Sequence, residues 1–410
     1  MNQRLKILHV TRSIDPTGGC EIYIHNLIEK CSERNIRSSV CVAILPTRQE
    51  NLGRVPIDCV NELASLTHQN AKTAVREFSS ICAKVNPDII HIHDLNNPYV
   101  IEYAGTHFPT IKTTLNADAY CGGIDKYLYT SKKACGRPLG YGCFGVALFE
   151  KCMKRHPKRS IEIISIKKSA LRALKNVYRV IVPSEASKKI LIQNRVPADK
   201  IEILPLFANI ATDTSSENDL KNSKKILFLG RLRPYKGVEY LLRALALTKS
   251  SCELEIVGGG EDRPKLEKLA ENLQIQDRVH FLGNQPHEKI KNYLASCAFL
   301  VVPSIYPDSF PTVGLEAMAM SKPVIGFRIG GIPEWLNDGE TGFLVEAQDV
   351  NELAKKIDDL LQNPERTERM GKAGRKRFEA EFTGSAHMER LVQIYEAAIA
   401  SFDRSKTCAP

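Results

Sequence analysis

A chain of 410 residues, at roughly 150 residues per domain, is expected to form two or three domains, each large enough to bury its own core. Charged residues at 25% and hydrophobic residues at 43% are ordinary globular proportions, and no low-complexity tract exempts a stretch from folding. The net charge of +10 comes without aromatic-interleaved basic strands or a recognition motif, which argues against nucleic acid as a partner and points to small anions or an anionic lipid surface.

The chain starts MNQRLKILHVTRSID, a short apolar run followed at once by polar residues, as in a first β-strand and unlike a signal peptide. No stretch approaches the roughly 18 uninterrupted apolar residues of a membrane span, so the expected location is the cytoplasm. Strand-like runs follow in order: KILHVT (6–11), SVCVAIL (39–45), DIIHIH (88–93), TIKTTL (110–115) and RVIVPS (179–184), most of them followed by helix-length amphipathic stretches. The second half repeats the pattern with KKILFLG (224–230), LEIVG (254–258), AFLVVPS (298–304), PVIGF (323–327) and GFLV (342–345). This alternation predicts an α/β protein of two doubly wound parallel sheets, covered on both faces.

Between the halves, PLFANIATDTSSENDLKNSKK (205–225) lacks an apolar period and is rich in Ser, Asn and Asp, the composition of a linker or long exposed loop. The expected division is 1–207 and 208–384, with 385–410 a final helix returning toward the first domain after the break at FTGS (382–385).

In open parallel sheets ligands bind beyond the carboxyl ends of the strands. The first loop of the second half, GRLRPYKGVEYLL, sets Gly230, Arg231 and Lys236 before a helix, where backbone N–H groups and the helix dipole favour an anion such as a diphosphate. A pair of solvated loop cations reads as well from the spacing alone. VGGGEDRPKLEKL places Gly258 where backbone approaches closely, a ligand contact or simply a tight turn.

PDSFPTVGLEAMAM (307–320) says more. Pro311 suits a first helical turn, so Asp308 or Ser309 is expected at the cap, with Glu316 one turn inside and leaning back toward the helix start. Two acids beside free backbone N–H groups would hold hydroxyls next to a phosphate, as in a sugar nucleotide. An Asp cap plus one exposed helical Glu is the plainer alternative.

On these residues the chain resembles the family 4 retaining glycosyltransferases (glycosyltransferase group 1), whose GT-B fold has two Rossmann-like domains facing across a cleft. GRL followed by KG (Gly230, Arg231, Leu232, Lys236, Gly237), the acid pair Asp308 and Glu316 running into LEAMA, and GGIPEWLNDGETGFLV (330–345) match its signatures. PTGGCE (16–21), PDIIHIHD (87–94) and VPSEASKKIL (182–191) are similar to its N-terminal landmarks. The resemblance implies an enzyme that moves a sugar from a UDP- or GDP-sugar to the hydroxyl of a glycan or lipid-linked acceptor, in cell-surface polysaccharide or glycolipid synthesis, with no cofactor and no metal. It gives Arg231 and Lys236 the donor diphosphate, Glu316 the ribose hydroxyls and Asp308 the transferred sugar. Gly18, Gly19, Gly230, Gly258, Ser309, Phe310, Thr312 and Val313 would complete the donor site.

Two positions depart from the pattern. Asp308 stands where relatives carry Glu, and in KTTLNADAYCGG (112–123) Asn116 stands nearest a common His. An Asn accepts and donates hydrogen bonds but neither gives nor takes a proton near neutral pH. His93 then remains as the histidine expected at the cleft edge, with Asn116 beside it toward acceptor or sugar. Other chemistries on the same architecture stay open: a sugar-nucleotide epimerase, a phosphorylase, or a silent sugar-nucleotide or glycan-binding protein. A nicotinamide dehydrogenase is disfavoured because DPTGGCE (15–21) is no G-x-G-x-x-G.

The cysteines are read as reduced thiols, several inside apolar patterns (Cys41, Cys82, Cys297). Cys121, Cys135, Cys143 and Cys152 contain no C-x2-C pair, so no metal site is expected there. Finally, KCMKRHPKRSIEIISIKKSALRALKNVYRV (151–180) carries Glu162 as its one acid and reads as a basic amphipathic segment, for an anionic membrane surface or as a plain solvated face.

Overall fold

The structure is a computed structural model, which describes residues 4–15, 18–46, 55–123, 125–153, 156–210 and 223–407. It contains two compact units: 1–131, 135–206 and 384–410 form the first, and 132–134 with 207–383 the second.

In the first unit, seven strands build one parallel sheet: β1 (Lys6–Thr11), β2 (Arg37–Val42), β3 (Ile57–Cys59), β4 (Ile89–Ile92), β5 (Thr110–Thr113), β6 (Arg179–Val182) and β7 (Ile201–Ile203). Their order is β3-β2-β1-β4-β5-β6-β7. β1 and β4 are neighbours, with Ile7 beside Ile89 and His9 beside His91. Strands such as IIHI are buried throughout because helices cover both faces, which is why they read as unbroken apolar runs.

The crossovers are α1 (Gly19–Glu33), α2 (His68–Val85), α3 (Pro98–His107), α4 (Gly142–Glu150), α5 (Pro157–Ala173) and α6 (Glu185–Gln193). Local chemistry sets their ends: the Thr67 side chain accepts from the Asn70 N–H to open α2, and Asn86 closes it in a left-handed conformation. The long last helix, Gly384–Thr407, belongs to this unit. Buried hydrogen bonds tie it to the sheet and α1, from Tyr395 to His91 Nδ1 at 2.7 Å and from Tyr23 to His387 Nε2 at 3.0 Å.

In the second unit the strands are β8 (Lys225–Leu229), β9 (Glu253–Val257), β10 (Val279–Gly283), β11 (Phe299–Val302), β12 (Val324–Phe327) and β13 (Gly342–Val345). The order β10-β9-β8-β11-β12-β13 repeats the dinucleotide-fold sequence of positions, and the order reverses between β8 and β11. That reversal leaves a crevice beyond the ends of those two strands. Helices α7 (Val238–Leu247), α8 (Arg263–Asn272), α9 (His287–Ser296), α10 (Thr312–Ala319), α11 (Ile332–Trp335), α12 (Val350–Gln362) and α13 (Pro364–Glu381) complete the unit.

The stretch 205–225 differs from its reading as an exposed linker. Leu206, Phe207 and Ala208 are buried, so its first residues are packed, and 211–222 lie outside the described residues. No described helix is long and apolar enough to cross a membrane.

Candidate functional site

Beyond β8 the chain passes Gly230 and exposed Arg231, makes a short turn at Pro234–Lys236, and enters α7 through Gly237. Gly237 has φ of 72°, and a Cβ there would sit 1.8 Å from the Pro303 carbonyl oxygen. No larger residue fits, because the loop after β11 lies against it. The Ile305 N–H donates to the Tyr235 carbonyl at 2.9 Å, and the Tyr235 and Tyr306 rings pack with centroids 4.7 Å apart. Thus the two loops at the sheet's reversal point are joined, and Lys236 is held at their seam.

Lys236 Nζ donates to Asp308 Oδ2 at 2.6 Å and to the Tyr306 hydroxyl at 3.2 Å, and lies 5.0 Å from the Tyr306 ring centroid. An ammonium has three donors. Two are used, and one stays available to a ligand. Arg231, in the same loop, makes no ion pair among the described residues.

Expectations for 307–316 need correction at the cap. α10 starts at Thr312, its N-cap residue is Pro311, and no side chain caps it. Asp308 instead turns to Lys236, and Ser309 and Phe310 are buried. The Gly331 N–H holds the Asp308 carbonyl at 2.8 Å, which gives the Gly-Gly stretch at 330–331 a structural task. Thr312 and Val313 form the half-buried first turn of α10.

Glu316 follows one turn in and is only 7% exposed. Its carboxyl has no hydrogen-bond or ion-pair partner among the described residues. Burial pushes it up to about 7, because water that would solvate the charge is excluded and nothing replaces it. A buried carboxyl in that condition marks a candidate functional position.

Gly258, after β9, has φ of 133°, and a Cβ there would meet the Gly230 carbonyl oxygen at 2.0 Å. Loop-on-loop packing therefore accounts for this glycine without a ligand.

In the first unit, Gly18 is the extended N-cap residue of α1 and Gly19 its first residue, beyond the end of β1. Asn116 Nδ2 donates to Asp94 Oδ2 at 2.5 Å. Burial, then Asp118, push Asp94 up to about 6, with Glu21 adding to the rise, while Lys112 and the Asn116 hydrogen bond oppose it. Lys112, buried in β5, donates to the Leu95 carbonyl at 2.7 Å and is pulled down to about 8 by burial. Lys167 holds Asp118 at 2.6 Å. Asp94, Asp118 and Lys112 were not singled out from sequence. A lysine inside the apolar run TIKTT and an acid closing each of PDIIHIHD and TTLNAD were the available signals.

His93 is not at an edge. It is fully buried, its Nε2 shares a 3.0 Å hydrogen bond with His9 Nδ1, and its ring lies 3.8 Å from that of His91. Burial holds all three imidazoles well below their usual range. Their nitrogens come within 4.8 Å of one another, but His9 and His91 are already engaged through both ring nitrogens with Ser38, His93, Tyr395 and Thr113. A metal would have to displace these bonds.

Residues 210–377 match the family model for glycosyl transferases group 1. Over this stretch the chain is similar to the group 1 glycosyltransferases. Among curated relatives, D-inositol 3-phosphate glycosyltransferase of Streptomyces coelicolor is 35% identical over 190 residues, covering 43% of this chain and 41% of that protein. MMP alpha-(1->4)-mannosyltransferase of Mycolicibacterium hassiacum is 32% identical over 222 residues, covering 53% of this chain and 54% of that protein. The chain thus spans about half the length of these relatives. A crystal structure of Anabaena HepE in complex with UDP superposes with a TM-score of 0.73 at 20% identity, covering 96% of this chain and all of the other. The fold is GT-B.

Proposed function

We propose that the protein is a retaining glycosyltransferase that moves a sugar from a UDP- or GDP-sugar to an acceptor hydroxyl, in cell-surface polysaccharide or glycolipid synthesis. The observation that carries the reading is that the loops joined at the reversal point of the second sheet carry exposed Arg231, the Lys236–Asp308 pair and a buried Glu316 with no hydrogen-bond partner among the described residues. HepE, whose crystal structure holds UDP, supports a uridine nucleotide as the first donor to try.

In this reading the donor diphosphate binds Arg231 and Lys236 near the uncapped start of α10. The ribose hydroxyls donate to the Glu316 carboxylate, and Asp308 accepts from the transferred sugar while steadying Lys236. Ser309, Phe310, Thr312 and Val313 supply the backbone wall, and Gly18, Gly19 and Gly230 stay assigned to the donor, whereas Gly258 is accounted for by its packing against Gly230. The bond from the anomeric carbon to the phosphate oxygen breaks, and the acceptor oxygen adds on the same face. Its proton passes to the departing diphosphate. Arg231 and Lys236 meet the charge that develops there, a contribution worth roughly 100- to 1000-fold per lost donor. In the first unit Asn116 and Asp94 offer a pair for acceptor hydroxyls; His93, sealed in its histidine cluster, does not.

We further propose peripheral attachment to an anionic membrane. Lys158 and Arg159 are exposed at the start of α5, and Tyr141, Leu148, Phe149 and Ile161 on α4, its approach and α5 are exposed large hydrophobic residues, the composition of an interfacial patch. Lys154 and Arg155, also counted in that basic segment, lie outside the described residues.

The deciding experiment is a panel of UDP- and GDP-sugars with thermal unfolding as readout, followed by incubation with acceptor and analysis of anomeric configuration. A ligand at 100 times its Kd adds about 2.7 kcal/mol. Stabilisation by one nucleotide family that disappears in Arg231→Ala supports the reading. No stabilisation by any nucleotide rejects it.

A further inference from the structure

Cys121, Cys135, Cys143 and Cys152 are separated by 8 to 14 positions in sequence, yet all four line one cavity in the first unit, of about 20 Å³. A space of that size takes one water-sized occupant. The cysteines come from four places: Cys121 just after the turn at Ala117–Tyr120, Cys135 in the irregular stretch that follows, Cys143 in the first turn of α4 and Cys152 just beyond it. All are free thiols. Gly123 lets the ends of the segment close on each other, since a Cβ there would lie 2.1 Å from the Cys152 carbonyl oxygen and 3.8 Å from Cys121 Sγ.

Two features set this cavity apart from four thiols packed as small hydrophobes. First, the segment has little apolar core. Its buried cluster is Leu139, Ala147, Met153 and Ile164, with Cys143 and Cys152 packed against it, a small core for so long an irregular stretch. Second, Lys126 lines the cavity at 3% exposure with no carboxylate partner among the described residues, its Nζ donating to the Arg137 carbonyl. A buried ammonium without a counter-charge is costly.

We propose that this cavity is a structural zinc site, in which Cys121, Cys135, Cys143 and Cys152 bind one Zn²⁺ as thiolates. Four thiols release four protons on binding, and the resulting centre carries two negative charges, against which Lys126 finds its missing partner. No three of the sulfurs lie mutually within 4.8 Å among the described residues, so side-chain rotation into the cavity accompanies binding, and the metal supplies the cross-link that the thin local core lacks. Distant spacing is no obstacle once folding has gathered the ligands.

The test uses the full chain, purified under reductant without chelator, with zinc and iron measured by elemental analysis, cobalt spectra after metal exchange, and intact mass. About one zinc per chain, tetrahedral thiolate-to-cobalt charge-transfer bands, and loss of at least nine-tenths of the metal in Cys135→Ser/Cys143→Ser are expected. Cys59→Ser, outside the cavity, keeps the metal. Should the double variant misfold, cobalt titration of metal-stripped wild-type chain still decides the matter. A folded chain without zinc that gives only octahedral cobalt spectra overturns the proposal, as does iron with sulfide in place of zinc, or a mass lower by four hydrogens that reports two disulfides. Metal content is read without any glycosyl-transfer assay, so this proposal and the functional one fail separately.

Discussion

Glu316→Gln separates stability from function in the second unit. Burial moves the Glu316 carboxyl from 4.5 to about 7. Between those values the folded chain holds a proton that the unfolded chain has lost, so unfolding free energy falls by about 1.4 kcal/mol per pH unit across the window, about 3 kcal/mol in all by pH 8. Gln removes the titration while keeping the shape. Its amide still wants partners in a pocket that offers none, so roughly 1–2 kcal/mol of the penalty should be recovered near pH 8 and nothing near pH 5. For a domain of this size that is a rise of about 3–6 °C in Tm at the higher pH. Nucleotide binding should respond in the opposite sense. Wild-type affinity for UDP should increase about tenfold from pH 6 to pH 8, as the carboxylate fraction grows about tenfold, and the Gln variant should bind weakly and without that slope. Thermal unfolding of both chains at the two pH values, with and without UDP, measures all four quantities. A Tm difference that is the same at both pH values, or a Gln variant less stable near pH 8, would refute the account of Glu316 as a buried acid waiting for hydroxyl donors.

Arg231→Ala, at an exposed and unpaired position, should lower kcat/KM by roughly 100-fold with Tm unchanged; Lys236→Ala should lower it as much but also cost stability, because Asp308 loses its 2.6 Å partner. Near-normal turnover in both would remove the diphosphate assignment. Asp308→Glu should be far milder than Glu316→Gln in steady-state kinetics, and abolished activity would mean that the short acid is tuned to a particular sugar. Gly237→Ala forces a Cβ onto the Pro303 carbonyl at a left-handed φ, so it should cost about 3 kcal/mol or more and displace Lys236, read as lower Tm and lower kcat/KM together. Sedimentation with vesicles tests the membrane patch: binding to anionic but not neutral vesicles, reversed by salt and lost when Lys154, Arg155, Lys158 and Arg159 become Glu, is expected, since each cation near such a surface contributes about 1 kcal/mol.

Each of the ten strand runs read from sequence corresponds to a strand of the two sheets: nine are central parallel strands, buried on both faces and therefore unbroken apolar runs, and GFLV is an edge strand that is nonetheless buried throughout. Within these two sheets, the three strands that were not read, Ile57–Cys59, Ile201–Ile203 and Val279–Gly283, all lie at sheet edges. There one side is open, burial is partial, and a three- to five-residue run with a charged or polar member carries no such signal. The opposite error occurred at Leu206–Ala208, where a polar-looking stretch hides buried residues. Composition averages over a window, and three buried residues do not change the average.

At the candidate site, motif spacing singled out Arg231, Lys236, Asp308 and Glu316 but could not show what holds them. Lys236 and Asp308 are 72 residues apart, and only the strand order makes them neighbours, since β8 and β11 pair directly at the reversal of the sheet. An N-cap was the natural local reading of Asp308, because short-range patterns weigh only short-range partners. The lysine across the seam takes the carboxylate in place of the helix end, because a partner carrying a full opposite charge adds Coulomb attraction that a neutral N–H lacks. The same geometry bears on the departure from the family's Glu. Asp308 already spans to Lys236 at 2.6 Å with its backbone pinned by the Gly331 N–H, so a longer acid would have to fold back or push the ammonium outward. The shorter acid therefore sets how far Lys236 reaches into the crevice, and in the proposed reading Asp308→Glu would shift that ammonium without removing it, in line with a mild effect.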